Sequence, residues 1–366
     1  MTLAEALKRD NNNADLLRLI AAFAVIWGHA YSFVLGPQIP EPVGRLLVFD
    51  YAGSLAVIFF FFLSGILVTN SWLSNSSPIR FVLARALRIF PALILSAVFC
   101  VFILAPLLVQ IPVEDYFSHT KALSKVLLHP HKDYALPGLF ENTPFPSANG
   151  SIWTIRYEIV MYGLLLGAGL CGVFRHKAFA SALLGAIVLI FMIDPERIEV
   201  LGLSNMNMGG RFPAFFAAGA LFALYKHQIR ITAKLVGGLI LLAWLCRHGS
   251  IFQFTFYPAF LMTLLWLMTT KAVKAIRLPG DFSYGVYVFG WPIQKAMVQL
   301  FPAAGVHVNQ ALSMAAALGL AIVSWYVLEK PCIGLARNLA SRFEARPPVA
   351  DDILTVVKPV SSAQAA

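Results

Sequence analysis

Ten long apolar segments constrain the fold of this chain more than any other feature. Most of them approach the roughly 20 residues that a helix needs to cross the hydrocarbon core of a bilayer. Only 13% of the residues are charged, against about a quarter in a soluble domain. We therefore predict an all-α, polytopic integral membrane helical bundle of about ten transmembrane helices. The segments are 16–35, 50–70, 89–110, 152–172, 178–193, 211–225, 235–250, 252–270, 283–301 and 309–328.

The distribution of basic residues predicts the orientation of this bundle. If both termini are cytoplasmic, most of the 28 Lys and Arg residues fall in cytoplasmic segments, as the positive-inside rule requires. Topology and contact with membrane lipids then account for the formal net charge of +10. Nucleic acid is not an expected partner.

The segments are predicted to form one domain over residues 1–342, followed by a disordered cytoplasmic tail over 343–366. A long exterior segment, 111–151, is expected to contain a short surface helix and then an ordered loop. Loops of this length are uncommon unless they are functional. The four cysteines are scattered singly, so neither a disulfide framework nor a metal site is indicated.

Two ionisable residues share one face of the first segment. Arg18 and His29 are eleven residues apart, so their directions differ by about 20° and they lie roughly 16 Å apart along the helix axis. Ionisable groups inside membrane spans are rare and indicate function by default. We expect this stripe to line a path through the membrane. The alternative is that Arg18 reaches the lipid headgroups and His29 hydrogen-bonds a neighbouring helix.

Three arginines, Arg80, Arg85 and Arg88, precede or open the third segment on its cytoplasmic side. Arg85 and Arg88 are one turn apart and share a helix face. Because the guanidinium fork matches phosphate oxygens, the cluster favours a phosphate-rich ligand. The alternative is anchoring by positive charge on the cytoplasmic side.

The fourth segment carries a carboxylate about two turns into its predicted helix. Ser151 is a suitable N-cap, and Glu158 lies roughly 10 Å below the helix start, which predicts a depth similar to that of His29. A carboxylate that orients an imidazole is a common general-base arrangement. The alternative is that Glu158 pairs with Arg156 or Arg211 at the outer interface.

Small and aromatic residues mark three further segments. Ser64-Gly65, in the middle of the second segment, permits close helix contact. Tyr284 and Tyr287 share a face at the start of the ninth segment, and interfacial anchoring is the alternative to a role in the site. Glu329, at the end of the last segment, is expected to be a structural anchor or to pair with cytoplasmic arginines.

These residues occur, in order, in motifs that resemble those of the membrane-bound acyltransferase 3 family. Members of that family O-acetylate bacterial surface polysaccharides, lipooligosaccharides, rhizobial Nod factors and some antibiotics. The similarity runs from residue 15 to residue 331, and one position departs from it, because Gly290 stands where members often have a histidine. The matching stretches are LRLIAAFAVIWGHA (Arg18, His29), FFFFLSGILV, RFVLARALRIFP (Arg85, Arg88, Pro91), SIWTIRYEIVMY (Ser151, Trp153, Glu158, Tyr162), RFPAFFAAGALF (Gly219), FSYGVYVFGWPI and YVLEKP.

The resemblance implies an enzyme of the bacterial inner membrane that moves an acyl group, expected to be acetyl, from cytoplasmic acyl-CoA to a hydroxyl of a cell-surface or lipid-linked carbohydrate. Acyl-CoA would be a co-substrate, with no bound cofactor and no metal. His29 and Glu158 would be catalytic, with His29 as the general base. The residues that would bind acyl-CoA are Arg18, Arg85 and Arg88. Those that would support the acceptor or the structure are Ser151, Trp153, Tyr284 and Tyr287.

The sequence leaves three alternatives open. The acyl group passes either directly to the acceptor or through an acyl-His29 intermediate. A transporter or flippase of lipid-linked sugars would also be a ten-span bundle with charges near the midplane, although the two halves show no inverted symmetry. Exopolysaccharide, O-antigen and Nod-factor-like sugars all fit as the acceptor, and segment 111–151 is its expected determinant.

Overall fold

The computed structural model describes residues 1–130, 132, 134–193 and 211–343. Within these residues the secondary structure is helical, with two isolated β-bridges and no β-strand, so the predicted all-α fold is confirmed. Each of the ten apolar segments overlaps a long helix. These helices are α1 (Ala14–Val34), α2 (Ala52–Ser74), α3 (Pro78–Phe99), α4 (Trp153–Leu170), α5 (Lys177–Ile193), α6 (Phe212–Leu224), α7 (Ala233–Leu245), α8 (Phe252–Leu267), α9 (Ser283–Leu300) and α10 (Val306–Ser324).

Four helical stretches in the described residues are long and apolar enough to cross a bilayer by themselves. They are α1, α2, α3 with its extension to Leu108, and α10 with its extension to Phe343. The helices α5 to α8 are apolar but shorter. The count of ten crossings and the cytoplasmic position of both termini stay predictions. The predicted disorder of 343–366 concerns residues that, from 344 onward, lie outside the described part of the chain.

Side-chain caps begin two helices that carry predicted site residues. The Asn13 side chain accepts a hydrogen bond from the backbone N–H of Leu16 at the start of α1, and Ser77 does the same for Arg80 at the start of α3. Pro78 follows Ser77 as the first residue of α3, where its fixed φ suits the helix. These caps satisfy backbone donors that a helix N-terminus leaves unpaired, and they fix where each helix begins.

Helices α2 and α6 approach each other through their backbones. A Cβ atom at Gly65 would lie 2.1 Å from the carbonyl oxygen of Phe216, and one at Gly219 would lie 2.1 Å from that of Phe62. Neither position can therefore hold a larger residue without moving a helix. The close contact predicted for Ser64-Gly65 is confirmed, and it fixes the face of α2 that turns toward the bundle interior.

The segment 111–151 contains two short helices, Val113–Ser118 and Thr120–Leu128, and then an irregular chain, in agreement with the prediction. The irregular part is fastened to α9, because the indole N–H of Trp291 donates a 3.2 Å hydrogen bond to the carbonyl oxygen of Ser147. The buried amide of Asn149 donates to α9 and α3 in the same way. The segment therefore leads into α4 from a defined position.

Candidate functional site

Side chains of α1, α2, α3, α4 and α9, together with Ile333 in the extension of α10, line a cavity of about 340 Å³, called here the large cavity. This volume lies within the range of small-molecule sites, which is about 300–1,000 Å³. Its walls are mainly apolar, but several polar groups converge in it. They are Arg18, Ser64, Arg85, Arg88, Thr154, Glu158, Tyr162, Ser283, Tyr284 and Tyr287. The structure thus brings together Glu158 and the three arginines predicted to bind acyl-CoA, which the sequence places on three separate segments. These arginines are Arg18, Arg85 and Arg88.

Two of the three arginines are held by carboxylates. The Asp281 Oδ2 atom lies 2.9 Å from Arg18 Nη2 and also contacts Arg88 Nη2. The second carboxylate is that of Glu329, which is fully buried and lies 2.9 Å from Arg88 Nη1. The pairing expected between Glu329 and an arginine is therefore confirmed. Arg18 and Arg88 belong to a charge network that fixes their positions at the wall of the large cavity.

Asp281, in the loop before α9, joins the two arginines. Burial alone would raise the pKa of Asp281, but the guanidinium groups of Arg18 and Arg88, with hydrogen bonds from Ser283, lower it to about 2. The carboxylate is therefore charged at neutral pH. Sequence analysis missed this residue. An acid directly before the FSYGVY motif, on the same side of the predicted bundle as the arginines, is the signal that could have found it.

Arg85 differs from the other two arginines, because it forms no ion pair with any residue that the structure describes. Its guanidinium lies 5.0 Å from the centre of the Phe81 ring, and its buried Nε atom has no hydrogen-bond partner. A guanidinium with unused donors binds anions through charge-assisted hydrogen bonds. Arg18 Nε is also unpartnered, so what distinguishes Arg85 among the three predicted phosphate ligands is that no described carboxylate neutralises its charge.

Glu158 lies in the large cavity and is bonded to a tyrosine. The Tyr162 hydroxyl, one turn further along α4, donates a short hydrogen bond to Glu158 Oε1 and shares a 2.8 Å hydrogen bond with the Ser64 hydroxyl. Arg211 pairs with Asp50 at 3.1 Å, so the alternative in which it pairs with Glu158 is wrong. The row Ser64–Tyr162–Glu158 places polar atoms along a wall that is otherwise apolar.

A second cavity of about 20 Å³, called here the small cavity, contains His29. It has room for about one water molecule. Neither ring nitrogen of His29 has a hydrogen-bond partner among the described residues, and the ring packs edge-on against Trp291, with 5.2 Å between the ring centres. The other residues that line the small cavity are Val25, Tyr51, Gly53, Ser54, Val57, Ser151, Trp153, Phe212 and Tyr287.

The two cavities follow one another along α1. Arg18 lines the large cavity and His29 the small one, so one face of α1 serves both, as the spacing predicts. Val57 of α2 and Tyr287 of α9 line both cavities and therefore separate them. The Arg18–His29 stripe therefore places one ionisable residue of α1 in each cavity.

The contact expected between Glu158 and His29 is not formed, because the two side chains line different cavities. The reason is that His29 and Glu158 lie at different positions along the axis of α4. His29 lies beside Ser151 and Trp153, where α4 begins, whereas Glu158 is five residues further along α4, or about 8 Å. A catalytic role for Glu158 stays a prediction, but it cannot be exerted by orienting His29 in this geometry.

The two tyrosines of α9 point into the bundle, which argues against the alternative that they are interfacial anchors. The Tyr284 hydroxyl donates a 3.0 Å hydrogen bond to the carbonyl oxygen of Ile89. The Tyr287 hydroxyl is 2.9 Å from the carbonyl oxygen of Ser151 and 2.6 Å from the Thr154 hydroxyl. Tyr287 thus ties α9 to the start of α4, at the boundary between the cavities.

Gly290, at the position where the family often has a histidine, lies against α1. A Cβ atom there would lie 2.9 Å from Cγ1 of Ile26, so the space of a larger side chain is already filled. One turn further on, the Gln294 amide donates a 2.7 Å hydrogen bond to the carbonyl oxygen of Ile26. In this chain, the space beside position 290 is therefore filled by close packing of α9 on α1.

The chain is similar in sequence to a family of acyltransferases and to two known proteins. The profile of a family described as an acyltransferase domain matches residues 11–330. The chain is 29% identical over 329 residues to the O-acetyl transferase of Shigella phage Sf6, which covers 87% of this chain and 95% of that protein. It is 27% identical over 363 residues to nodulation protein 10 of Rhizobium leguminosarum bv. viciae, which covers 90% of this chain and 95% of that protein. No solved structure matches the chain significantly.

These matches decide between the two classes of function that the sequence leaves open. The family profile spans α1 to α10, so it covers both cavities and every residue that lines them except Ile333. Group transfer is thereby favoured over transport. The chain belongs to the acyltransferase 3 family and is an acyltransferase with a membrane helical bundle.

Proposed function

We propose that this enzyme transfers an acyl group, expected to be acetyl, from cytoplasmic acyl-CoA to a hydroxyl of a cell-surface or lipid-linked carbohydrate. One observation carries the proposal. A roomy cavity with an unpaired guanidinium is followed, along a single face of α1, by a small cavity with an unpartnered imidazole. The first suits an anionic donor, and the second suits proton transfer from a hydroxyl.

The donor would bind in the large cavity. Arg85 would contact the phosphates of CoA, and Arg18 and Arg88, held by Asp281 and Glu329, would add positive potential without moving. The apolar walls would accept the pantetheine arm. Glu158, fixed by Tyr162, would act from this side as a hydrogen-bond acceptor for the arm and as a countercharge to Arg85. The thioester would then point along the Arg18–His29 stripe.

The reaction would take place beside His29. The imidazole takes the proton of the acceptor hydroxyl, and the oxygen attacks the thioester carbonyl carbon. The new C–O bond forms, the C–S bond breaks, and the proton passes from the imidazolium to the departing thiolate, so the products are an ester and free CoA thiol. His29 is suited to this role because no described residue occupies its ring nitrogens.

Membrane vesicles from cells that produce the full chain test this function. With acetyl-CoA labelled in the acetyl group, we expect label on membrane-associated carbohydrate and release of one free thiol for each ester formed. Mass spectrometry of surface glycans from cells with and without the gene would identify the acceptor by its lost acetyl group. Vesicles in which label reaches no carbohydrate, or reaches it without thiol release, would contradict the proposal.

A further inference from the structure

Ser54 has a buried hydroxyl for which neither the sequence motifs nor the proposed roles account. Its exposed fraction is 3%, and its Oγ atom has no hydrogen-bond partner among the described residues. Leaving a buried hydroxyl unsatisfied costs about 1–3 kcal/mol. A serine within a helix usually avoids this cost by bonding to the carbonyl one turn earlier, but here that position, Asp50, precedes the helix.

The unpartnered hydroxyl lies in the small cavity together with the unpartnered imidazole. Helices α1 and α2 cross at glycines, because a Cβ atom at Gly28 would lie 3.4 Å from the backbone nitrogen of Gly53. The residues that follow these glycines are His29 and Ser54, and both line the small cavity. The helix crossing thus places one proton acceptor and one proton donor beside the same small space.

The Ser54 hydroxyl is an unused hydrogen-bond donor at the start of a long helix. Ser54 lies in the first turn of α2, a helix of 23 residues. Backbone N–H groups at the start of a helix are directed outward along its axis, and the helix macrodipole places partial positive charge there. The carboxylate of Glu41 already uses part of this potential, because it accepts a 2.8 Å hydrogen bond from the backbone N–H of Ala52. The Ser54 hydroxyl remains as a donor that no described residue uses.

We propose that Ser54 is a catalytic residue that stabilises the oxyanion of acyl transfer. When the acceptor oxygen attacks, the carbonyl π electrons move to the carbonyl oxygen, and Ser54 donates a hydrogen bond to that oxygen without losing its proton. The intermediate then collapses, the C–S bond breaks, and the thiolate receives the proton that His29 removed. The proposal rests on the proposed function and adds to it a hydrogen-bond donor for the carbonyl oxygen of the thioester.

The Ser54→Ala variant tests this role by separating activity from stability. We expect kcat for acyl transfer to fall about 100-fold, as for other oxyanion donors, with the KM for acetyl-CoA unchanged. The melting temperature of the detergent-solubilised protein should stay the same or rise, because an unsatisfied buried hydroxyl is removed. A serine with a merely structural role would not lower kcat while leaving stability intact.

Ser313 provides the matched control. It lies in α10, is fully buried, has an Oγ atom without a hydrogen-bond partner in the described part of the chain, and lines neither cavity. Ser313→Ala should change the melting temperature in the same direction as Ser54→Ala and keep the wild-type kcat. Ser54→Cys, which retains a weaker donor of similar size, should give a kcat between those of the wild type and Ser54→Ala.

Two outcomes would overturn the role of Ser54 and leave the proposed function standing. They are a Ser54→Ala protein that transfers acetyl within twofold of the wild-type rate, and a Ser54→Cys protein as active as the wild type. The second variant decides the matter if the first does not fold. A wild-type protein that releases no thiol from acetyl-CoA would instead contradict the proposed function itself.

Discussion

The large and the small cavity differ in how their polar groups are satisfied. In the large cavity, Arg18 and Arg88 share Asp281, and Glu158 is bonded to Tyr162. In the small cavity, the imidazole of His29 and the hydroxyl of Ser54 have no partner in the described residues. Charges that stay buried must be paired, whereas groups that react with a substrate must be unoccupied before it arrives. Under the proposed function, the large cavity would hold the donor, with Arg85 left unpaired for its phosphates, and the small cavity would hold the groups that take part in the reaction.

Removal of the His29 imidazole should have the largest effect on acyl transfer. His29→Ala should lower kcat at least about 100-fold, because general-base catalysis contributes that much or more. Binding of acetyl-CoA should be unaffected, since His29 lines only the small cavity. Label transfer in vesicles and ligand binding to purified protein measure the two effects. His176, an exposed histidine before α5, is the matched control. Wild-type transfer by His29→Ala would end the case for His29 as the base.

Arg85 gives the second largest expected effect, and it concerns the large cavity alone. Arg85→Ala should raise the KM for acetyl-CoA about 10-fold or more, because a charge-assisted hydrogen bond contributes about 1.5–3 kcal/mol. Arg85→Lys should recover part of the loss, since the charge remains without the fork geometry. Arg80→Ala, at an exposed position of the same helix, should change the KM less. An unchanged KM in Arg85→Ala would assign this residue to membrane topology instead.

The carboxylate network should affect stability rather than chemistry. Asp281→Asn removes the negative charge that Arg18 and Arg88 share. This should lower the free energy of unfolding by about 3 kcal/mol. Thermal unfolding in detergent measures the loss. Since the pKa of Asp281 is lowered to about 2, its contribution is present in full above the unfolded pKa near 4 and disappears as the pH falls toward 2.

Asp15 is the natural comparison for Asp281, because it also pairs with Arg18 but is half exposed. Exposed ion pairs contribute little to stability, so Asp15→Asn should lower the melting temperature much less than Asp281→Asn. Equal losses would show that burial of the network is not what stabilises it.

Tyr162→Phe should have the smallest effect of the series. The variant keeps the ring but removes the hydrogen bonds to Glu158 and Ser64. We expect a severalfold change in the KM for acetyl-CoA, equivalent to about 1 kcal/mol, and little change in kcat. A fall in kcat as large as that of His29→Ala would place Glu158 and Tyr162 in the chemical step. The large cavity would then take part in the reaction as well as in binding the donor.

Hydropathy and helical periodicity predict the helices and the shared face of Arg18 and His29, because both depend on spacing within one segment. They do not predict the relative level of residues on different helices. Glu158 falls beyond His29 because α4 begins at the level of His29, and only packing sets that level. Ser54 escapes sequence analysis for another reason. A serine in an apolar stretch is ordinary, and its missing hydrogen bond becomes visible only when its neighbours are known.

The network around Asp281 also has a consequence for how the protein is made. Arg88 leaves the ribosome 241 residues before Glu329, and Arg18 precedes Asp281 by a similar distance. Chains of this kind are built from the N-terminus, at about 5–20 residues per second. For many seconds the early helices therefore carry Arg88 without either of its carboxylate partners, and Arg18 with Asp15 but without Asp281. Chains that stop before α9 would hold uncompensated charge at the membrane, and we expect such products to be recognised as defective and degraded.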